Sequence, residues 1–324
     1  MRNIVLIGGG SGTISLIKGI KDLKDINFYV VVTVADSGGS TGRIRDEYHI
    51  PAVGDIRQVL TSLAKNNNPL YELMQYRFKN PDNPKYESIS RHCLGNLIIA
   101  AIIDIKKDFY DGIKYLSKIF NLDGEIVPIT NEGHIQLKAI YEDGSVQIKE
   151  HLIPNENKKI SEITYEKLDF KVNPRVIETI NNADYIILGC GSLYTSLIAN
   201  ICIPEVKKAI INNKKAKKIY FCNLVTQNGE TNNMTAYDHI KAIEKHLEYG
   251  AIDIVIVNSK INKDSKLIDK YLQSKQNFIF ADEKLKNSHC EVIETSLINN
   301  DDLDYIRHDV KKIKKVIKQI LEKE

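Results

Sequence analysis

The sequence predicts a three-layer α/β fold: a mostly parallel sheet with helices on both faces and a small antiparallel β insert. Three observations predict it. Short β-branched runs alternate with segments of helical period at both ends of the chain. Several of those runs empty directly into glycine-rich or polar loops. Only between roughly residues 125 and 170 does the hydrophobic period fall to two.

The elements follow in order. Ile4–Ile7 is an apolar run that ends in glycines, a buried strand by pattern. Ile14, Ile17, Ile20 and Leu23 then recur at helical spacing, and "FYVVVTVA" at 28–35 is a second strand. Strand, helix and strand at this spacing form a βαβ unit with parallel strands. Helices are expected over Ile56–Ala64, Leu70–Phe78, Leu94–Ile105 and Gly112–Phe120. "HIQLKAIYEDGSVQIKE" alternates on both sides of Asp143-Gly144, a dipeptide favoured in tight hairpins. After Pro174 the alternation resumes, with strands at "DYIILG", "KIYFCN", "IDIVIVN" and "NFIFA". The last segment sets Val310, Ile313, Ile317 and Ile320 on one helix face with its lysines facing away, an amphipathic cap in preference to a membrane-binding helix.

Composition bounds the function. The 324 residues form one expected domain, 1–324, with 125–170 as a small β subdomain. Hydrophobic content of 43% and charged content of 27% read as soluble and globular. A net charge of +3 is too small to suggest nucleic acid as a partner. The five cysteines form no C-x-x-C pair, and their odd number argues against a disulfide framework, which fits a reducing, cytoplasmic location. The longest apolar stretch, "LIIAAIIDI" at 97–105, has about half the length that spans a bilayer, so no stable membrane insertion is expected.

In an open parallel sheet, ligands sit beyond the carboxyl ends of the strands. After the first strand comes "GGGSGT", with Gly9, Gly10, Ser11, Gly12 and Thr13 opening a helix. Glycines let backbone amides approach a phosphate, and a helix N-terminus adds partial positive charge. The loop is neither G-x-G-x-x-G nor a Walker A loop, so it indicates an anion and leaves the cofactor open. After the second strand come Asp36, where a dinucleotide-binding protein often holds a ribose hydroxyl, and "SGGSTGR", with Gly39, Ser40 and Arg43. Arg43 and Arg45 either clamp phosphate oxygens or lie on an exposed helix face beside Asp46 and Glu47. Gly54 and Asp55 follow. Asp55 reads as an N-cap, with Gln58 completing a capping box, and a capping carboxylate can still face a ligand or metal. His92 is a general base or a hydrogen-bonded structural residue, and Asn96 is placed to read a base or sugar hydroxyl. "GCGSLYTS" at 189–196 repeats the first loop's logic and offers Gly191, Ser192 and Thr195. Asn223, Thr226, Gln227 and Glu230 form a mostly neutral polar wall, and Thr235 with Asp238 reads as a helix cap.

Together these blocks resemble the YvcK/CofD-like family, and within it the YvcK branch, the gluconeogenesis factors. The resemblance rests on "IGGGSG" at 7–12, "TVADSGGSTGRIR" at 33–45, "PAVGDIRQVL" at 51–60, "HCLGNL" at 92–97, "GCGSLYTS" at 189–196 and "NLVTQNGET…TAYDH" at 223–239. It implies a Rossmann-like fold. It also implies a cytoplasmic protein that binds UDP-sugars, UDP-N-acetylglucosamine or UDP-glucose, and supports cell shape and peptidoglycan synthesis on gluconeogenic carbon sources. By resemblance Gly9, Gly10, Gly12 and Thr13 form the first nucleotide loop. Asp36, Gly39, Ser40 and Arg43 form the central loop, with Gly54 and Asp55 behind it. Gly191, Ser192, Thr195, Asn223, Thr226 and Gln227 form the opposite wall.

The chain departs from the YvcK pattern at Ser37, usually a second aspartate, at Cys190, usually proline, and at Arg91, usually glycine. Losing the second acid weakens a two-carboxylate metal site. Three functions are thus open at this stage. A regulatory nucleotide-sugar binder leads, compatible with a homodimer and with a regulated protein partner in wall synthesis. A CofD-like 2-phospholactate transferase is the alternative, in which Asp36 and Asp55 are the catalytic and metal-holding candidates for magnesium. An NAD-dependent oxidoreductase comes third.

Overall fold

The computed structural model describes residues 1–65, 68–79 and 89–323. Seven strands form one parallel sheet: β1 (Arg2–Gly8), β2 (Ile26–Val32), β3 (Glu125–Pro128), β7 (Tyr185–Leu188), β8 (Lys217–Phe221), β9 (Ile254–Asn258) and β10 (Glu291–Thr295). Their order is β10-β9-β8-β7-β1-β2-β3. The chain builds outward from β1 to β3, then crosses back to β7 and builds the other way. β1 is therefore central. Ile4 pairs with Phe28 on one side and Tyr185 on the other. Ile4 to Ile7 have no exposed surface, as expected of a strand covered on both faces.

Right-handed crossovers with this reversal place helices on opposite faces. α1 (Gly10–Ile20) packs with α3 (Gly54–Leu63) and the C-terminal helix α13 (Val310–Glu322), while α7 (Pro174–Asn181) packs with α9 (Pro204–Asn212). α13 buries Ile313, Val316, Ile317 and Ile320, and Ile313 lies against Gly19 of α1, where a Cβ would come within 2.6 Å of it. Its lysine-rich face is thus the outer one of a packed helix.

The small sheet is antiparallel, in the order β5 (Val146–Ile148), β4 (Leu137–Tyr141), β6 (Ile160–Tyr165). Asp143 accepts the Ser145 amide in its hairpin turn and Gly144 takes φ +80°. The expected insert began too early. Glu125–Pro128 is the edge strand of the large sheet, paired with β2, and its four-residue run is too short to show a period. The expected strand at "NFIFA" is also corrected. Phe278 makes only an isolated bridge to Val225, and the last strand is Glu291–Thr295. β10 is an edge strand with two glutamates, so it lacks the apolar signature of its neighbours. The helix expected over Leu70–Phe78 ends at Gln75, and the one expected from Gly112 starts at Phe109, where Asp108 caps it by accepting the Asp111 amide.

Candidate functional site

The reversal of strand order falls between β1 and β7, and the two glycine-rich loops leave the sheet there side by side. Their glycines serve two different ends. At Gly12 an added Cβ would collide with the Cys190 carbonyl, and at Gly191 with the Gly9 carbonyl. Those two glycines let the loops press backbone to backbone. Gly10 is different. It takes φ +70°, and its missing Cβ would meet only Ser196 Oγ, at 3.6 Å. Here the backbone itself demands glycine, and the space beyond it stays open.

Gly10 also begins α1. Gly9 is the N-cap, no side chain caps the helix, and its first turn holds no acid. The N-terminal amides after Gly10 therefore face the loops with their partial positive charge unspent. Thr13 does not compete for a ligand, because its buried hydroxyl donates to the Gly9 carbonyl at 2.7 Å and holds the turn. The side chain of Ser11 lies outside the described residues.

A cavity of about 330 Å³ opens on the β7–β8 side of this junction. Gly10, Gly12, Gly191, Ser192, Asn223, Thr226 and Gln227 all border it, so the structure brings the first loop and the expected opposite wall into one cleft. Asn223 donates to the Gly191 carbonyl, while its Oδ1 is closed off from solvent and lacks a partner. Gln227 donates to Ser192 and to Glu230. Glu230 is buried and accepts from the Tyr194 and Thr195 amides and the Thr195 hydroxyl, so it caps the helical turn that starts at Leu193. Thr195 is thereby committed to Glu230. Thr226 is committed as well: its hydroxyl accepts the Asn277 amide.

Beyond the segments that the sequence reading singled out, the cavity also takes Gln276, Ile306, Arg307 and His308. They come from the far end of the chain, in loops with no glycine signature. Arg307 stands exposed at the mouth, over the Tyr305 ring. His308 is buried against the Cys222 carbonyl, and burial pulls its imidazole down to about 4.

On the β2 side the central loop forms a second, acidic wall. α2 (Gly39–Tyr48) starts after Gly38, whose amide Asp36 accepts at 2.8 Å. Gly54 abuts Asp36 and Thr41. Asp55 is not the N-cap of α3; Val53 is, with no side-chain cap. The carboxylate instead reaches across and accepts the Gly10 amide at 3.1 Å. Burial, and then the nearby Asp36 carboxylate, push Asp55 up to about 7.

The remaining central-loop candidates are spoken for by the fold. Arg43 is exposed and donates to the Ser90 carbonyl. Arg45 is buried and holds the Asp36 carbonyl and the Asp46 carboxylate, so it braces the loop. Ser40 contacts His92 and accepts from Asn96, whose Oδ1 takes the buried Arg57 guanidinium. Burial holds His92 below its ordinary value. Among the described residues, Asn96 is part of this buried network and does not border the cavity. Gly39, at φ +47°, has open space beside it.

The antiparallel insert supplies a roof that sequence reasoning did not anticipate. The 3-10 turn Glu150–Glu156 lies between the two walls. His151 Nδ1 meets Ser37 Oγ at 2.7 Å, and the Pro154 carbonyl sits against Gly229. Ser37 is used to dock the insert. Glu150 is pushed up to about 8 by burial, then by Asp36, Glu230 and Asp55. No signal in the alternating segment marked Glu150, because a charged residue there reads as a solvated face.

Residues 4–298 match the family described as 2-phospho-L-lactate transferase CofD. The gluconeogenesis factor of Bacillus subtilis (strain 168) is 37% identical over 98% of this chain and 98% of its own. That of Halalkalibacterium halodurans is 38% identical over 98% of this chain and 95% of its own. A crystal structure of a Bacillus halodurans protein superposes with a TM-score of 0.90 at 38% identity, covering 98% of this chain and 99% of that one. The match of sequence and fold over nearly the whole length leads to one conclusion: the chain belongs to the CofD family, alongside the relatives named gluconeogenesis factor.

Proposed function

We propose that this cleft binds a nucleotide diphosphate sugar, UDP-N-acetylglucosamine or UDP-glucose, and that the protein works as a regulatory binder linking carbon supply to cell-wall synthesis and cell shape. One observation carries the reading. Gly10, at positive φ, opens the N-terminus of α1 onto a cavity shared by both glycine loops, with Asp55 holding only its first amide. That arrangement suits a diphosphate. Its volume of about 330 Å³ is at the small end for ligand sites, and the Arg307 mouth extends it outward. Asn223, Ser192 and Gln227 line the same cavity with neutral polar groups, which suit a base or sugar hydroxyl. Arg307 adds the positive charge that a diphosphate needs.

A second reading, a transferase of the CofD type, is favoured by the Asp36–Asp55 pair beside the same helix terminus. Each carboxylate spends one oxygen on a backbone amide, of Gly38 or Gly10. One oxygen of each remains. Among the described residues no group of three or more His, Cys, Asp or Glu converges to hold a metal. Asp36 and Asp55 would therefore hold magnesium together with a ligand's phosphate oxygens and water, as this ion commonly requires. The ion would supply charge stabilisation of a diphosphate leaving group. For the NAD reading, Asp36 stands behind β2, and its contact to the Gly38 amide leaves one oxygen for a ribose.

Binding of UDP-N-acetylglucosamine, GDP and NAD by one preparation, with excess magnesium and with chelator, separates the three. The binder reading expects UDP-N-acetylglucosamine to win in both conditions with no release of free nucleotide. Steady nucleotide release that Asp36→Asn abolishes would establish the transferase instead.

A further inference from the structure

We infer that His49 and His134 form a two-histidine site for a divalent cation of the zinc type, outside the cleft. The chain has eight histidines. The other six are each tied to a polar group of the fold, as His92 is to Ser40 and His308 to the Cys222 carbonyl. Among the described residues His49 and His134 meet no such group and face each other instead, with ring centroids 5.1 Å apart and ring planes tilted by 49°. Both are exposed.

The backbone sets this meeting. His49 is the C-cap of α2, at φ +55° in the left-handed region. Gly133, just before His134, lies directly on the same turn: an added Cβ would come within 2.8 Å of the His49 carbonyl oxygen and 2.7 Å of the Ile50 carbonyl carbon. The end of α2 and the start of the insert are thus pressed backbone to backbone, and each delivers one imidazole to the same spot. The spacing suits a shared ion. A zinc–nitrogen bond of about 2.0–2.1 Å places a ring centroid about 3.2 Å from the metal, so two rings at a tetrahedral angle have centroids about 5.2 Å apart. The 5.1 Å seen here matches that separation.

Charge favours a cation as well. His134 borders a groove of about 500 Å³ that also takes Glu132, Glu166 and Asp169, against one lysine, Lys167. Glu132 spends one oxygen on the Lys171 amide and keeps the other. These carboxylates raise the local concentration of cations around the rings. Among the described residues no third His, Cys, Asp or Glu completes a ligand set, so water fills the remaining positions. An ion held by both rings also braces the cleft. α2 starts in the central loop behind Asp36, and the insert that His134 begins docks its roof turn through His151 on Ser37. The ion ties the acidic wall to the roof at a second point.

Calorimetric titration of the full, untagged, metal-stripped chain with zinc chloride tests this. The wild type is expected to take up one ion with micromolar affinity and to melt at a higher temperature with zinc than without. His49→Ala and His134→Ala should each lower zinc affinity by more than about tenfold, the least that even an outer-shell partner of a ligand is worth. Both side chains are exposed, so circular dichroism should not change. Asp36→Asn should keep the affinity, which separates this ion from one bound in the cleft. Zinc should also shield both histidines from acylation by diethyl pyrocarbonate, read by peptide mass spectrometry. A wild type that takes up no zinc overturns the proposal. So does an affinity that survives either alanine variant, because a shared ion needs both rings, and so does uptake that Asp36→Asn removes.

Discussion

The Asp55 carboxylate accepts the backbone amide of Gly10 at 3.1 Å, joining the acidic wall to the helix terminus that opens the cavity. The pair makes the charge of the site depend on pH. Burial and Asp36 push Asp55 up to about 7, and burial with Asp36, Glu230 and Asp55 pushes Glu150 up to about 8. Both lie above the unfolded carboxylate value of about 4. The folded state therefore prefers these groups protonated. That contribution to stability is complete below about pH 4 and is lost as pH rises through about 7 and 8. In chelator, affinity for an anionic nucleotide sugar should fall over the same upper range as the wall acquires charge. Asp55→Asn should flatten both trends, read by thermal melts and by calorimetric titration between pH 5 and 9. A wild-type affinity that is level across that range would sink the prediction.

The two kinds of glycine should part company on mutation. Gly12→Ala drives a Cβ into the Cys190 carbonyl, so it should lower stability by about 1–3 kcal/mol through overpacking. Gly10→Ala meets no such clash. It bears a left-handed backbone penalty of about 1–2 kcal/mol, and its new methyl points into the space a phosphate would use. Urea unfolding together with ligand titration should show Gly12→Ala as the more unstable variant and Gly10→Ala as folded with weakened binding.

Arg307→Ala should weaken nucleotide-sugar affinity on the order of tenfold, equivalent to about 1.4 kcal/mol. The wild type should lose affinity with added salt more steeply than this variant, since an exposed guanidinium at the mouth is screened. Equal salt slopes would show that Arg307 does not meet the ligand's charge.

Thr235→Ala offers a control away from the cleft. Thr235 and Asp238 form a reciprocal capping box at the start of α10 (Ala236–His246). Its loss should cost about 1 kcal/mol of stability, seen as a lower melting temperature, with ligand affinity unchanged.

Much of this architecture was written locally. β1 and β2 are short apolar runs, β1 ending in glycine, and the Thr235 cap needs only four consecutive residues. The glycine loops were visible as ligand-facing segments, yet their sequence does not say which glycine faces a ligand and which faces the other loop. That distinction lies in contacts such as Gly12 with Cys190, between residues 178 positions apart. Asp55 shows the same limit. Its spacing from Gln58 fits a cap, but tertiary packing gives it the Gly10 amide of another helix. Glu150 and Arg307 sit in a hairpin insert and a late loop, and only the completed sheet brings them to the cleft. Edge strands β3 and β10 were the hardest elements to read, β3 because four residues show no period and β10 because its half-covered residues carry a diluted apolar signal.

The central place of β1 has a consequence for synthesis. Its second neighbour, β7, begins at Tyr185, which pairs with Ile4 across 181 positions of sequence. At ribosomal speeds of about 5–20 residues per second, the nascent chain holds β1 with one bare backbone edge for roughly 10–35 seconds. The edge exposed in that interval belongs to a strand that is apolar from Ile4 to Ile7, the type most prone to pairing with the wrong partner. Slowing elongation upstream of Tyr185 lengthens the exposure, so the yield of native protein should depend on codon speed and on chaperone supply over this stretch more than after it.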